Sequence, residues 1–201
     1  LPSSVFRNIV PRTDINLTYN YQQRPEYSRN MIGGKFGWSW GSKNNKWYFQ
    51  ATPLQINIVN LPYYSPQFME SLTNPFVREA YKNHFDLGLG YNMQYSSTPS
   101  INPKVSYLKA SLQVDISGNL ISAFNKFMPK DSTGAYTIWD SPYSQYIRAE
   151  GSASYTWMFG KDNKQALAVR GLIGAGLAYG NSSKMPFERL FWGGGPNSLR
   201  G

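Results

Sequence analysis

Residues 14 to 22 read "DINLTYNYQ", with polar and apolar side chains in strict alternation. Ile15, Leu17, Tyr19 and Tyr21 point one way. Asp14, Asn16, Thr18, Asn20 and Gln22 point the other. Only an extended strand keeps period two, so this stretch is a strand with one apolar and one polar face. The pattern recurs along the chain. Ile32, Phe36, Trp38 and Trp40 oppose Met31, Lys35 and Ser39. Phe85, Leu87, Leu89, Tyr91, Met93 and Tyr95 oppose His84, Asp86, Asn92 and Gln94. Leu108, Ala110, Leu112, Val114 and Ile116 oppose Lys109, Ser111, Gln113 and Asp115. Ala149, Ala153, Tyr155, Trp157 and Phe159 oppose Arg148, Glu150, Ser152, Ser154 and Thr156. Leu167, Val169, Ile173, Ala175, Leu177 and Tyr179 oppose Arg170 and small residues. The stretch 46–61 is less regular, because Pro53 interrupts it. A proline has no N–H for the ladder and predicts a bulge. Strands are therefore expected at about 13–24, 28–41, 46–60, 84–97, 104–118, 145–159 and 165–180,.

Two architectures share this alternation. In a soluble sandwich or small ligand-binding barrel the apolar face turns inward. In a transmembrane antiparallel up-and-down barrel it turns out to lipid, and strands of about 9–11 residues cross the bilayer. Strand length and aromatic placement favour the membrane barrel. Tyr19, Tyr21, Trp38, Trp40, Tyr155, Trp157, Phe159 and Tyr179 lie near the ends of apolar faces, as interfacial girdles do,. The mean hydropathy of −0.47 and the lack of a long apolar run exclude a helical membrane protein. They do not exclude a barrel, whose strands are only half apolar. In that reading Asp86, Lys109, Asp115, Arg148, Glu150 and Arg170 face a wet lumen, where charges are tolerated if hydrated or paired. Gly88, Gly90, Gly174 and Gly176 share that face and would let a loop or plug lie close to the wall,.

The connections sort by length. Those at 41–46, 96–104 and 160–164 are short and rich in turn formers,. Those at about 61–83, 119–144 and 181–201 are long, and the first is expected to hold a short helix between Ser65 and Lys82. Short turns on one side and long loops on the other match periplasmic turns and extracellular loops of a bacterial outer-membrane barrel. The whole of 1–201 then reads as one partial barrel domain. Such barrels usually have an even strand count from about eight upward, so further strands are expected outside this sequence.

Signs of catalysis are lacking. The one histidine, His84, reads as structural or interfacial,. There are no cysteines, and no nucleophile elbow, zinc helix or phosphate loop occurs,. Neither enzyme chemistry, a cofactor nor a metal site is expected. The net charge is +9, but the basic residues form no stripe, which argues against nucleic acid,.

The most specific stretch is the last, "MPFERLFWGGGPNSLRG" at 185–201. It resembles the signature of the BamA/TamA superfamily of outer-membrane assembly barrels, the bacterial surface antigen domain. The matching residues are Pro186, Phe187, Glu188, Arg189, Leu190, Phe191, Gly193 and Gly194, then Leu199, Arg200 and Gly201. The resemblance implies a barrel of about sixteen strands in the bacterial outer membrane. This chain would supply about the fifth to eleventh, ending in the sixth extracellular loop. It implies that this loop folds back into the lumen, with Arg200 docked against a carboxylate as a bidentate lock. In the family that carboxylate lies on a later strand; within this chain Glu150 is the candidate. Members insert or assemble barrels or export a partner chain. Unfolded outer-membrane proteins are the implied substrates, and accessory lipoproteins or an inner-membrane partner the implied helpers. Two other readings stand beside it. One is a passive porin-like or nutrient-uptake channel with a constriction at Lys109, Arg148, Arg170 and Asp115 and no in-folded loop. The other is a soluble ligand-binding β-domain.

Overall fold

The computed structural model describes residues 10–73, 78, 81–100 and 103–191. They build one antiparallel sheet of seven strands in which each strand pairs with the next along the chain. These are β1 (Arg12–Gln23), β2 (Tyr27–Gly41), β3 (Trp47–Tyr64), β4 (His84–Ser96) and β5 (Tyr107–Ser117), followed after a long loop by β8 (Tyr146–Phe159) and β9 (Gln165–Ala178). Among the described residues β1 and β9 do not pair, so the sheet is open.

Pro53 acts as its chemistry requires. The β3–β4 register shifts between Thr52 and Gln55, and the β2–β3 register shifts opposite, between Phe36 and Trp38. The bulge absorbs the residue that cannot donate. β3 continues past it to Tyr64, so the next loop starts only at Ser65. There the Ser65 side chain accepts from the Phe68 N–H and caps α1 (Pro66–Ser71), a helix of six residues. Within the expected 65–82 span, residues 74–77, 79 and 80 lie outside the described residues.

The loop 119–144 has structure that alternation did not signal. It opens with α2 (Asn119–Ser122) and a one-turn 3₁₀ helix at Asn125–Phe127, and it closes with a small hairpin of β6 (Thr137–Ile138) and β7 (Ser141–Pro142). Tyr143 then runs beside Phe85, extending β4 above the end of β5. Phe85, Ile121 and Tyr143 form a buried cluster here, packed against Ile56, Ile58 and Leu87.

Burial runs opposite to that of a soluble β-protein. Polar groups are buried, among them Gln55, His84, Asp86, Asp115 and Ser117. Large apolar side chains are exposed: Leu17 at 83% and Ile173 at 76% on the flanking strands. Central strands do the same, exposing Leu89, Tyr91, Leu112 and Ile147. Register places these side chains together on the face opposite the buried polar groups. A contiguous exposed apolar face of this extent belongs against lipid or protein, not water. No described helix is long and apolar enough to cross a membrane; in this chain the candidates for crossing are strands.

Candidate functional site: the inner wall and the loop folded onto it

The polar face of the sheet carries charged groups from β2 to β8. Their centre is Arg148 on β8. The guanidinium donates to Glu150 at 2.5 Å and lies 3.6 Å from Asp115 on β5. Register explains the meeting: Asp115 pairs with Arg148, and Gln113 with Glu150. Gln113 also donates to Asp115 at 2.8 Å. Asp86 on β4 is 2% exposed, and neither of its carboxylate oxygens has a hydrogen-bond partner among the described residues.

Of the polar residues expected on this face, the structure brings Asp86, Asp115, Arg148 and Glu150 to one end. Lys109 and Arg170 lie apart from them. They flank Ser154 in one row across β5, β8 and β9, nearer the short turns, and both are exposed. Lys109 sits 5.2 Å from the ring of Tyr107.

The chain leaves β9 and folds back over this wall. Asn181 stitches the start of the loop to its neighbour. Its carbonyl oxygen accepts from Tyr136 N–H at 2.7 Å, and its amide donates to the Tyr136 and Tyr143 carbonyls at 2.9 and 3.0 Å. The Ser182 hydroxyl accepts from Gln145 N–H at 2.8 Å. Beyond it, Met185 rests over Gly176 and Phe191 over Gly174. A Cβ on either glycine would collide with those side chains, so the bare backbone there is what admits the loop.

Four contacts then hold the segment 186–191. A one-turn 3₁₀ helix at Phe187–Arg189 presents Glu188, which accepts from the Arg29 guanidinium of β2. The other Glu188 oxygen lies 3.5 Å from His84 Nε2. His84 Nδ1 donates to the Lys82 carbonyl at 3.1 Å, which turns Nε2 toward Glu188. Arg148 Nε donates to the Arg189 carbonyl at 3.1 Å, and the Arg148 guanidinium lies 4.3 Å from the Phe191 ring centroid. One arginine thus satisfies two wall carboxylates and clamps the loop through a carbonyl and an aromatic face.

The sequence singled out Pro186, Glu188 and Arg189, and these meet the wall or lie beside residues that do. Phe187 contributes backbone to the 3₁₀ turn. Gly193, Gly194, Leu199, Arg200 and Gly201 lie outside the described residues. Arg29 and Asn181 carried no signal of their own, since their roles depend on which strands and loops become neighbours. His84, which the sequence marks as structural or interfacial, stands beside Glu188.

The aromatics expected at a membrane girdle gather at both ends of the outer face. At the short-turn end Trp40 stacks on Phe49 at 5.7 Å and Trp47 lies 4.7 Å from Tyr95. Trp38 meets Phe36 at 5.2 Å and Trp157 meets Phe159 at 5.3 Å, with Tyr155 two residues before. Trp47 and Phe49 join this belt although the irregular pattern around Pro53 hid them. Tyr19 and Tyr21 lie toward the long-loop end, exposed. The Tyr179 hydroxyl there donates to Asn119 at 2.8 Å.

The chain belongs to the Omp85 superfamily: the superfamily domain matches residues 12–201. Proteins of this superfamily are outer-membrane assembly and translocation factors that act on substrate proteins. No curated protein and no solved structure matches the chain with significance.

Proposed function

We propose that this chain is part of a BamA/TamA-type barrel that assembles outer-membrane proteins or translocates a partner chain, and that its sixth extracellular loop is locked inside the lumen. The irregular strand around Pro53 inclines the reading toward a TamA-like role. The observation that carries it is the seating of residues 185–191 on the polar wall, through Glu188 with Arg29 and His84, and through Arg148 with Arg189 and Phe191. An open channel would leave Arg148 and Asp115 facing water at a constriction. Here they are paired, and the loop covers them.

In this reading Arg200 completes the lock. Glu150 is already engaged by Arg148, which argues against it as the partner. The acidic group is then Asp86, whose oxygens accept no hydrogen bond among the described residues, or a carboxylate on a later strand. The barrel breaks no bond. A weak seam between first and last strands offers unpaired backbone to an incoming strand, which adds by β-augmentation. Loop and wall hold the barrel in shape while the seam opens. Accessory lipoproteins or an inner-membrane partner would deliver the substrate, with periplasmic repeat domains receiving it.

The test is complementation in cells depleted of the native protein. Arg200→Ala should lower the levels of other outer-membrane barrels or of an exported partner. Unchanged levels, with unchanged barrel stability, would remove the lock from the account. A heat-modifiable gel shift of the full-length protein is expected; its lack would favour the soluble reading.

A further inference from the structure

We infer that the loop 119–144 is a membrane-interface anchor, laid along the lipid-facing side of the barrel and pressing Phe124, Phe127 and Trp139 into the interfacial zone of the bilayer. The inference rests on the reading that the exposed face of the sheet meets lipid.

The first observation is where the loop lies. Ile56 pairs with Leu87 and Ile58 with Phe85, and these side chains share the outer face with Leu89 and Tyr91. Met128, Tyr136 and Ile138 of the loop pack against the cluster built on Phe85, Ile121 and Tyr143. One side of the loop therefore covers the upper outer face of β3 and β4, while Asp131, Thr133 and Ala135 on its other side line a cavity shared with His84 and residues 181–186.

The second observation is what the loop presents there. Phe124 is 62% exposed, Phe127 85% and Trp139 80%. Leu120 of the same loop is also exposed. Three large aromatics mostly exposed on one loop are costly in water, at roughly 25 cal/mol per Å² of apolar surface.

The third is backbone conformation. The turn joining β6 to β7 places Trp139 at φ 48° and Asp140 at φ 58°. Left-handed pairs of this kind favour glycine and asparagine. Tryptophan at that turn costs backbone strain and leaves the indole projecting, with only an edge contact to Phe85 at 6.1 Å. A folding role would be served as well by a smaller residue. An indole at this height matches the amphipathic ring that settles at a membrane interface. Lys126 sits between the two phenylalanines, and Lys130 lies 4.6 Å from the Tyr136 ring. Long lysine stems can lie along apolar surface while their ammonium groups reach lipid phosphates.

The experiment uses full-length protein in phosphatidylcholine vesicles, with and without phosphatidylglycerol. The chain brings no cysteine of its own. An environment-sensitive fluorophore is attached at Phe127→Cys and, separately, at Leu17→Cys on the sheet face and Thr133→Cys in the same loop. The expected result is blue-shifted emission at 127, quenched several-fold by lipids brominated near the headgroup end of the acyl chain, and little quenching at 133. Quenching at 17 but not at 127 overturns the anchor and leaves the barrel standing. No quenching at either overturns both. A probe at 127 that is shielded from aqueous iodide yet untouched by brominated lipid overturns the anchor in favour of a protein partner.

Discussion

Glu188, in the loop after the last strand, is ion-paired with Arg29 on the second strand, 159 residues earlier in the chain. Both side chains are largely shielded from water. The contact spans the inner face between strands that are not neighbours in the sheet. It ties the loop to β2.

Glu188→Gln keeps the shape but removes the charge. Hydrogen bonds to charged groups contribute about 1.5–3 kcal/mol, so barrel stability should fall by about 2 kcal/mol. Urea titration followed by gel mobility reads this directly. Exchanging the charges, Arg29→Glu with Glu188→Arg, should recover part of the loss. An unchanged midpoint for Glu188→Gln would show that the pair holds nothing.

Arg148→Ala should be the more damaging change. It strands Asp115 and Glu150 without a cation and releases the Arg189 carbonyl and the Phe191 ring. Removing one partner of a buried pair costs about 3–5 kcal/mol. Arg148→Lys should recover little, because an ammonium cannot donate in fork geometry and stack at once. Thermal unfolding of the three proteins ranks them.

Gly174→Val should displace the loop without touching a charge, because the new side chain occupies the seat of Phe191. Overpacking of this sort costs about 1–3 kcal/mol. Protease cleavage between Lys184 and Arg189 should become faster. Gly171→Val is the control: a Cβ there meets nothing within 4 Å, and cleavage should stay slow.

Asp131 gives a pH prediction outside the strands. Its carboxylate accepts from the Thr133 hydroxyl at 2.7 Å and from the Thr133 and Ala135 N–H groups at 2.8 and 3.0 Å. These bonds, led by that of the hydroxyl, hold its pKa below the ordinary value. A depressed folded-state pKa stabilises the turn above the unfolded-state value, and that stability disappears as pH falls through the folded-state one. An NMR titration of the Asp131 carboxyl carbon should show the low midpoint, and Thr133→Ala should raise it.

The sequence reveals the sheet well because period two is local. Each residue of "DINLTYNYQ" declares its face without knowing its neighbours, and that stretch lies within β1. Pro53 could be read as a bulge for the same reason. The site is less legible. Arg148, Asp115 and Glu150 could be assigned to one face, but their meeting depends on the β5–β8 register. Glu188 belongs to a recognisable motif, yet its partners Arg29 and His84 are set by the path of a loop across the polar face of the sheet. Trp47 and Phe49 were hidden because the bulge breaks the phase by which a face is counted. The hairpin carrying Trp139 is too short for periodicity to show.

The central claim is that this chain belongs to a barrel that promotes assembly of other barrels. The most direct measurement is the rate at which a urea-unfolded outer-membrane protein folds into vesicles holding the full-length protein. Folding should run well above that into empty vesicles and fall in parallel with Arg148→Ala and Arg200→Ala. A folded, membrane-inserted protein that conducts ions steadily and leaves the folding rate unchanged would contradict it.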